Sequence, residues 1–141
     1  MHIEMKRTGR DFRMEAVNPK GNAVVMDNPS NNGAMQQGAS PMELLLMGIA
    51  GCSSIDILTI LEKRGKVVED LHVSVNAERE TDQTPAYFNL MEAQYHLTGQ
   101  LDPDKVRMAV ELSLSKYCTV AKIIEKTVPI DFRVFLNGQE I

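Results

Sequence analysis

The N-terminal region alternates apolar and polar positions with a period of two, which is the pattern of half-buried β-strands. The alternation runs from Ile3 to Met26 and is broken by a turn-forming segment, Asn18 to Gly21. It predicts a three-stranded antiparallel meander within residues 1–28. Residues 29–39 then collect Asn, Pro, Ser, Gly and Gln without any period, so we expect an exposed loop there.

A helix is predicted over residues 40–65 because its start carries each of the local signals. Ser40 stands at the N-cap, Pro41 at the first helical position, and Glu43 at the position that completes a capping box. At the other end, a basic turn followed by Gly65 favours termination of the helix.

The first half of this helix is apolar on every face from Leu44 to Cys52, which predicts a central helix that is covered all round. Gly48 and Gly51 each cost about 1 kcal/mol relative to Ala in a helix interior. We explain this cost by a close backbone neighbour or by an interruption of the helix near Gly51. In the second case, the residues from Ser53 onward would cap a new helix.

The C-terminal half of the chain predicts further strands and helices. Strict alternation predicts a β-hairpin over residues 70–98, apolar residues at helical spacing predict helices over residues 102–126, and alternation returns in a final strand over residues 128–137. Strands with hairpin spacing, separated by helices, favour an α+β fold with antiparallel sheets over a parallel α/β sheet. At this length we expect one domain, residues 1–141.

Charge and hydropathy argue against several partners. With 15 basic and 19 acidic residues and a net charge of −4, the chain has no basic field that would attract nucleic acid. The N-terminus offers no apolar segment for a secretory signal, and the most apolar run, Leu44 to Ile55, is too short to span a bilayer. We therefore expect a cytoplasmic protein without nucleic-acid or membrane partners.

The two cysteines, Cys52 and Cys118, lie in apolar, helix-forming sequence. A structural disulfide would not persist in a reducing cytoplasm, so they are interpreted either as inert core residues or as a transient redox pair. A helix break near Gly51 would place Cys52 at a helix N-terminus, where backbone N–H groups lower a thiol pKa, and Cys118 at a helix junction has the same opportunity. The histidines and cysteines lack the spacing of metal ligands, so no metal site is expected.

The residues around both cysteines resemble a known family. Ser40-Pro-Met-Glu-Leu44 is followed by Ala50-Gly-Cys-Ser53, and Ser113-x-x-Lys-Tyr-Cys-Thr-Val-Ala121 occurs downstream. This two-cysteine signature is similar to that of the OsmC/Ohr family of thiol-dependent peroxidases, and the resemblance extends over essentially the whole chain. It implies an intertwined homodimer in which antiparallel sheets wrap long central helices and the active sites lie at the subunit interface.

By this resemblance, Cys52 matches the peroxidatic cysteine of the family and Cys118 the resolving cysteine. The implied substrate is an organic hydroperoxide, bound in an apolar pocket lined from the central helix. Cys52 would become a sulfenic acid, Cys118 would condense with it, and an external thiol or dithiol would reduce the disulfide. No bound cofactor is implied.

One position departs from the family pattern. Met42 stands where Ohr-type members carry a catalytic Glu directly after the helix-opening Pro. Glu43 is the remaining candidate for that role, with helix capping as its alternative use. Arg10, which follows a Gly, is the best match to the arginine that activates the thiolate, with Arg13 in reserve. The departure indicates the OsmC-like branch of the family, whose substrates are poorly defined.

Two functions stay open from the sequence. The first is a homodimeric peroxidase that uses the Cys52 and Cys118 pair. The second is a non-catalytic binding protein of the same fold, which would hold an apolar or thiol-reactive small molecule. An enzyme requires a reactive Cys52 and a disulfide that cycles, whereas a binding protein requires inert thiols and a retained ligand.

Overall fold

The computed structural model describes residues 1–9, 11–28 and 35–141. They form two compact units, Met1–Leu45 and Leu46–Ile141, whose boundary falls inside the first helix. Each unit is described by itself, and the expectation of a single domain stays a prediction.

The first unit contains the predicted three-stranded meander. Its strands are β1 (Glu4–Arg7), β2 (Met14–Val17) and β3 (Ala23–Met26), which pair antiparallel in chain order. The turn between β2 and β3 forms because the Asn18 side chain accepts hydrogen bonds from the backbone N–H groups of Lys20 (2.9 Å) and Asn22 (3.0 Å). The meander prediction is confirmed. Most of the predicted loop over residues 29–39 lies outside the described residues.

Helix α1 (Pro41–Glu62) begins in the first unit with the predicted capping box. The Glu43 carboxylate accepts from the backbone N–H of Ser40 at 2.6 Å, and the Ser40 hydroxyl accepts from the backbone N–H of Glu43 at 3.3 Å. These two bonds satisfy orphan donors at the helix start. The start of the helix is therefore confirmed, and its end comes three residues before the predicted limit, with Gly65 in the left-handed region beyond it (φ 69°).

The prediction of a break near Gly51 is wrong, because α1 runs through Cys52 without interruption. The hydroxyls of Ser53 and Ser54 donate to the carbonyls of Ile49 and Ala50, at 2.7 Å each, so they bond back within the helix and do not cap a new one. Among the residues that the structure describes, none has an atom within 4 Å of a Cβ placed at Gly51, so no close backbone approach within that set explains this glycine either.

The apolar stretch of α1 is longer than the sequence analysis assumed. The helix has 22 residues, and an 18-residue window reaches a mean hydropathy of 2.0, so by length and composition alone it is able to cross a membrane. The core helix of a soluble protein passes the same test. Leu44 to Ile55 is therefore not the full apolar length of the helix, and the length of this run does not exclude a membrane span. The expectation of no membrane partner stays a prediction.

The second unit contains a four-stranded sheet in the order β4 (Asp70–Arg79), β5 (Phe88–Thr98), β6 (Ile130–Leu136) and β7 (Gln139–Glu140). The predicted antiparallel hairpin is confirmed as β4 and β5. In contrast to the expected antiparallel arrangement, β6 pairs parallel with β5. The reason is the helical connection between β5 and β6, which returns the chain to the same end of the sheet.

That connection consists of three helical segments. Helix α2 (Pro103–Leu112) has Asp102 as its N-cap, a π-helical segment follows (Ser113–Tyr117), and α3 (Thr119–Ile124) begins after Cys118. The core of the unit contains alternate residues of β5 and residues from one face of α2. These residues are fully buried: Met91, Ala93, Tyr95, Leu97, Val106, Ala109 and Val110.

Candidate functional site

The two cysteines come from distant parts of the second unit and meet. Cys52 lies in the middle of α1 and is half-buried, whereas Cys118 lies between the π-helical segment and α3 and is fully buried. Their Sγ atoms and a carboxylate oxygen of Asp56 all lie within 4.8 Å of one another. An S–S bond is about 2.05 Å long, so the two sulfur atoms must approach each other by less than about 3 Å to form one.

Backbone geometry fixes the position of Cys118. Its N–H donates to the Ser113 carbonyl at 2.8 Å, which closes the π-helical turn. Its Sγ atom accepts from the backbone N–H of Ala121 at 3.4 Å, so the sulfur serves as the N-cap acceptor of α3. The predicted placement of Cys118 at a helix junction is confirmed.

The lowered thiol pKa expected at this helix junction is wrong for Cys118 as a net result, although the Ala121 N–H does lower it. Burial raises the pKa of its thiol to about 12, with a hydrogen-bonding contact from Cys52 as the second cause, and the Ala121 N–H only partly opposes them. Cys118 is therefore a protonated thiol at neutral pH. For Cys52 the premise itself is wrong, because the residue lies in a helix interior and not at a helix start.

Ser53, the residue after Cys52, belongs to a buried hydrogen-bond network. The Tyr95 hydroxyl of β5 donates to Ser53 Oγ at 2.8 Å, and the Ser113 hydroxyl donates to the Ser53 carbonyl at 3.3 Å. Burial also raises the pKa of Tyr95 to about 12, which keeps its hydroxyl protonated as a donor. The network joins α1, β5 and the π-helical segment, so it fixes the backbone from which Cys52 projects.

Asp56 is the site residue that the sequence analysis missed. It follows Cys52 by one turn of α1, at the i, i+4 spacing that places two side chains on one helix face. Its carboxylate accepts a long hydrogen bond from the Ser113 hydroxyl, at 3.4 Å. The spacing was visible in the sequence, but the proximity to Cys118 depends on the fold.

The other predicted site residues belong to the first unit. Glu43 is engaged in the capping box, and the backbone N–H of Ser40 lowers the pKa of its carboxyl. Arg13 donates to the side chain and the carbonyl of Thr8, at 3.2 and 3.4 Å. Arg10 lies outside the described residues. Roles for these three residues at the thiols stay predictions.

A surface cavity of about 340 Å³ lies within the second unit and shares one residue, Asp56, with the cysteine cluster. Asp56 forms part of its wall, Ile60, Leu112 and Tyr117 contribute apolar surface, and the basic residues Lys63 and Arg64 also line it. The later turns of α1 line this cavity. The expected apolar pocket around the sulfur, lined from Leu44 to Ile55, stays a prediction.

The three donor atoms of Cys52, Asp56 and Cys118 are close enough together to hold a metal ion. Two thiolates and a carboxylate form a donor set that suits a soft divalent metal such as zinc. Spacing along the sequence does not reveal this cluster, because Cys118 is brought to Cys52 and Asp56 only by the fold. The expectation of a metal-free protein stays a prediction.

A mixed α+β domain with two neighbouring cysteines is the class that the fold and the site define. The sequence profile described as OsmC-like protein matches residues 33–133. The protein YhfA of Escherichia coli strain K12 is 39% identical over 111 residues, which cover 78% of this chain and 79% of YhfA. The chain therefore belongs to the OsmC family.

Solved structures share the fold. An OsmC-like protein from Mycoplasma pneumoniae superposes with a TM-score of 0.80 at 18% identity, covering 96% of this chain and 95% of the other. A protein from Legionella pneumophila, described as an organic hydroperoxide resistance protein OsmC, superposes with a TM-score of 0.71 at 19% identity and covers 96% and 97%. The α+β, OsmC-like fold expected from the sequence is confirmed.

Proposed function

We propose that this protein is a thiol-dependent peroxidase that reduces organic hydroperoxides through Cys52 and Cys118. The observation that carries the proposal is the proximity of the two sulfur atoms, which come from distant parts of the chain and lie within 4.8 Å. Membership of the OsmC family and the fold shared with a hydroperoxide resistance protein support it.

In the first step, the Cys52 thiolate attacks the distal oxygen of the hydroperoxide. The S–O bond forms as the O–O bond breaks, and the leaving alkoxide takes up a proton and departs as an alcohol. Cys52, oxidised by two electrons, becomes a sulfenic acid. The half-exposure of Cys52 suits its attack on a substrate that enters from solvent, whereas Cys118 is fully buried.

In the second step, Cys118 attacks the sulfenic acid sulfur, and an intramolecular disulfide forms with loss of water. An external thiol or dithiol then reduces the disulfide by exchange, so the cycle needs no bound cofactor. Cys118 suits the resolving role because its sulfur is near enough to intercept the sulfenic acid before a second peroxide does.

The remaining residues have proposed supporting roles. Arg10, or Arg13 in its place, is the candidate cation that stabilises the Cys52 thiolate, and Glu43 is the candidate acid that pairs with this arginine. The cavity beside Asp56 is the candidate substrate site, since its apolar wall suits an organic hydroperoxide better than hydrogen peroxide.

We further propose a cytoplasmic homodimer formed around α1. In the single chain, the face opposite the buried residues of this helix is apolar and exposed, with Met47 at 57% and Ile55 at 67% exposure. A second copy would cover this face. We expect Ile55→Asp to convert the dimer into a monomer in sedimentation velocity; a wild-type protein that sediments as a monomer would contradict the proposal.

Turnover tests the proposed activity. Reduced protein is mixed with excess cumene hydroperoxide and dithiothreitol, and peroxide loss is followed over many equivalents for the wild type, Cys52→Ser and Cys118→Ser. We expect the wild type to consume the peroxide catalytically and Cys52→Ser to be inactive. Consumption by Cys52→Ser at the wild-type rate, or none by any of the three proteins, would refute a Cys52 peroxidase.

A binding protein of the same fold is the second candidate, favoured by the cavity and by the high pKa of Cys118. It predicts a small molecule that stays bound when the protein is purified. Native mass spectrometry of freshly purified protein, compared with its denatured mass, would show the retained ligand, and thiols that survive excess peroxide would favour this candidate over the enzyme.

A further inference from the structure

A carboxylate lies beside both thiols, although its charge opposes the ionisation of Cys118. One carboxylate oxygen of Asp56 is within 4.8 Å of both Sγ atoms. A negative charge at this distance favours the protonated form of a thiol, and Asp56 is one of the groups that raise the pKa of Cys118. Asp56 therefore does not help Cys118 to form a thiolate in the resting protein.

An ordinary structural role does not account for Asp56 either. Among the residues that the structure describes, no ion pair to its carboxylate is found, and its hydrogen bond from Ser113 is long at 3.4 Å. The residue is half-buried on the α1 face that carries Cys52, and it also lines the neighbouring cavity. The carboxylate is thus positioned at the two sulfur atoms without strong bonds that would occupy it.

The resolving step of the proposed cycle needs a group that moves a proton. Cys118 is fully buried and enters this step as a thiol. The thiol must lose its proton as the sulfur attacks, and the hydroxyl that leaves the sulfenic acid of Cys52 must gain one. A single carboxylate near both sulfur atoms is able to serve both needs.

We propose that Asp56 relays the proton of the resolving step from Cys118 to the hydroxyl group that leaves Cys52. The inference rests on the proposed peroxidase function. As the S–S bond forms and the S–O bond of the sulfenic acid breaks, the carboxylate takes the proton from Cys118 Sγ. It then delivers this proton to the departing hydroxide, which leaves as water, and Asp56 ends the step ionised as it began.

Ser113 acts in this scheme as a positioning residue. Its buried hydroxyl donates to both the Ser53 carbonyl (3.3 Å) and the Asp56 carboxylate (3.4 Å). Its own carbonyl accepts from the backbone N–H of Cys118. One residue thus ties the relay group to the backbone that carries the resolving sulfur.

A purely electrostatic influence of Asp56 makes the opposite prediction. If the carboxylate only raised the thiol pKa, its removal would yield more Cys118 thiolate and faster disulfide formation. If it relays the proton, its removal slows disulfide formation, by about 10²-fold on the usual scale of general acid–base catalysis. The sign of the change separates the two roles.

The experiment follows the two steps separately in a single turnover. Reduced wild type, Asp56→Asn and the matched control Glu62→Gln, which removes an acidic charge from the exposed end of α1, receive one equivalent of cumene hydroperoxide. Sulfenic acid is trapped with dimedone and the disulfide is quantified by acid quench and mass spectrometry. We expect Asp56→Asn still to form the sulfenic acid but to convert it to the disulfide about 10²-fold more slowly than the wild type, and Glu62→Gln to match the wild type in both steps.

Chemical rescue distinguishes a proton relay from a structural role. Asp56→Ala opens space beside the sulfur atoms, and added formate should restore much of its rate of disulfide formation, whereas chloride at the same ionic strength should not. Circular dichroism checks that each variant is folded, and Asp56→Glu provides a second variant that keeps the carboxylate and should retain most of the rate.

The outcomes separate this inference from the function on which it rests. If the wild type forms no sulfenic acid with peroxide, the proposed peroxidase function fails and the relay fails with it. If the sulfenic acid forms but folded Asp56→Asn makes the disulfide as fast as the wild type, or faster, the relay alone is overturned. Failure of formate to rescue Asp56→Ala would also overturn it.

Discussion

Replacing Ser53 with alanine removes the acceptor of a fully buried tyrosine hydroxyl. In the native protein Tyr95 donates to Ser53 Oγ at 2.8 Å, while Ser53 itself donates to the Ile49 carbonyl at 2.7 Å. Ser53→Ala leaves the Tyr95 hydroxyl buried without a partner, which costs about 1–3 kcal/mol of unfolding free energy. Tyr95→Phe removes the donor as well as the bond and should cost about 0.5–1.5 kcal/mol.

The double-mutant cycle isolates this interaction. In the Tyr95→Phe background, Ser53→Ala no longer leaves a hydroxyl unpaired, so its cost should fall to about 1 kcal/mol or less, the value of one net hydrogen bond. Urea unfolding of the four proteins gives the free energies, and the midpoints should move while the m-value stays constant. An equal cost of Ser53→Ala in both backgrounds would refute the inferred coupling of α1 to β5.

Further predictions concern pH and helix capping. The folded-state pKa values of Cys118 and Tyr95 are raised to about 12 from ordinary values of 9.0 and 10.0. The unfolded chain therefore releases these protons at lower pH than the folded protein, so the unfolding free energy should fall as the pH rises above about 9. The fall should be less steep in Cys118→Ser. An unfolding free energy that stays constant in urea unfolding from pH 8 to 11 would contradict this prediction. Glu43→Ala should lower the thermal midpoint because it removes the capping box, whereas Glu43→Gln should retain it. Peroxidase activity that is lost in the stable Glu43→Gln would assign Glu43 a role beyond capping.

The sequence predicts local structure well where local bonds decide it. Ser40 and Glu43 make the two capping bonds that their spacing predicts, and the Asn18 turn forms where a turn is expected. A local bond also explains why the expected helix break near Gly51 does not occur. The Ser53 hydroxyl donates to the carbonyl of Ile49, one turn earlier, and the helix continues.

Long-range geometry was not accessible in the same way. The parallel pairing of β5 with β6 depends on the path of the intervening helices, and no local pattern marks the π-helical segment Ser113–Tyr117 that orients Cys118.

The final hairpin did have a local signal. Asn137 and Gly138 both adopt positive φ (51° and 85°), as an Asn-Gly pair does in a two-residue β-turn.

The same contrast holds at the site. Sequence patterns selected Cys52 and Cys118, and the fold brings them together. At Cys118, burial raises the thiol pKa more than the N–H group at the start of α3 lowers it. The sequence did not reveal this, because the pKa of a thiol depends on all the groups that pack around it. Asp56 was missed because its carboxylate lies near the sulfur of Cys118, which is far away in the sequence.

The most direct test of the account is to map the disulfide formed in a single turnover. Fully reduced protein is treated with one equivalent of cumene hydroperoxide, quenched in acid, alkylated and digested without reduction for mass spectrometry. We expect the loss of two thiols per chain and a peptide pair joined through Cys52 and Cys118, with Cys118→Ser stopping at the sulfenic acid of Cys52. Two free thiols after excess peroxide, or oxidation of Cys52 that never leads to a bond with Cys118, would contradict it.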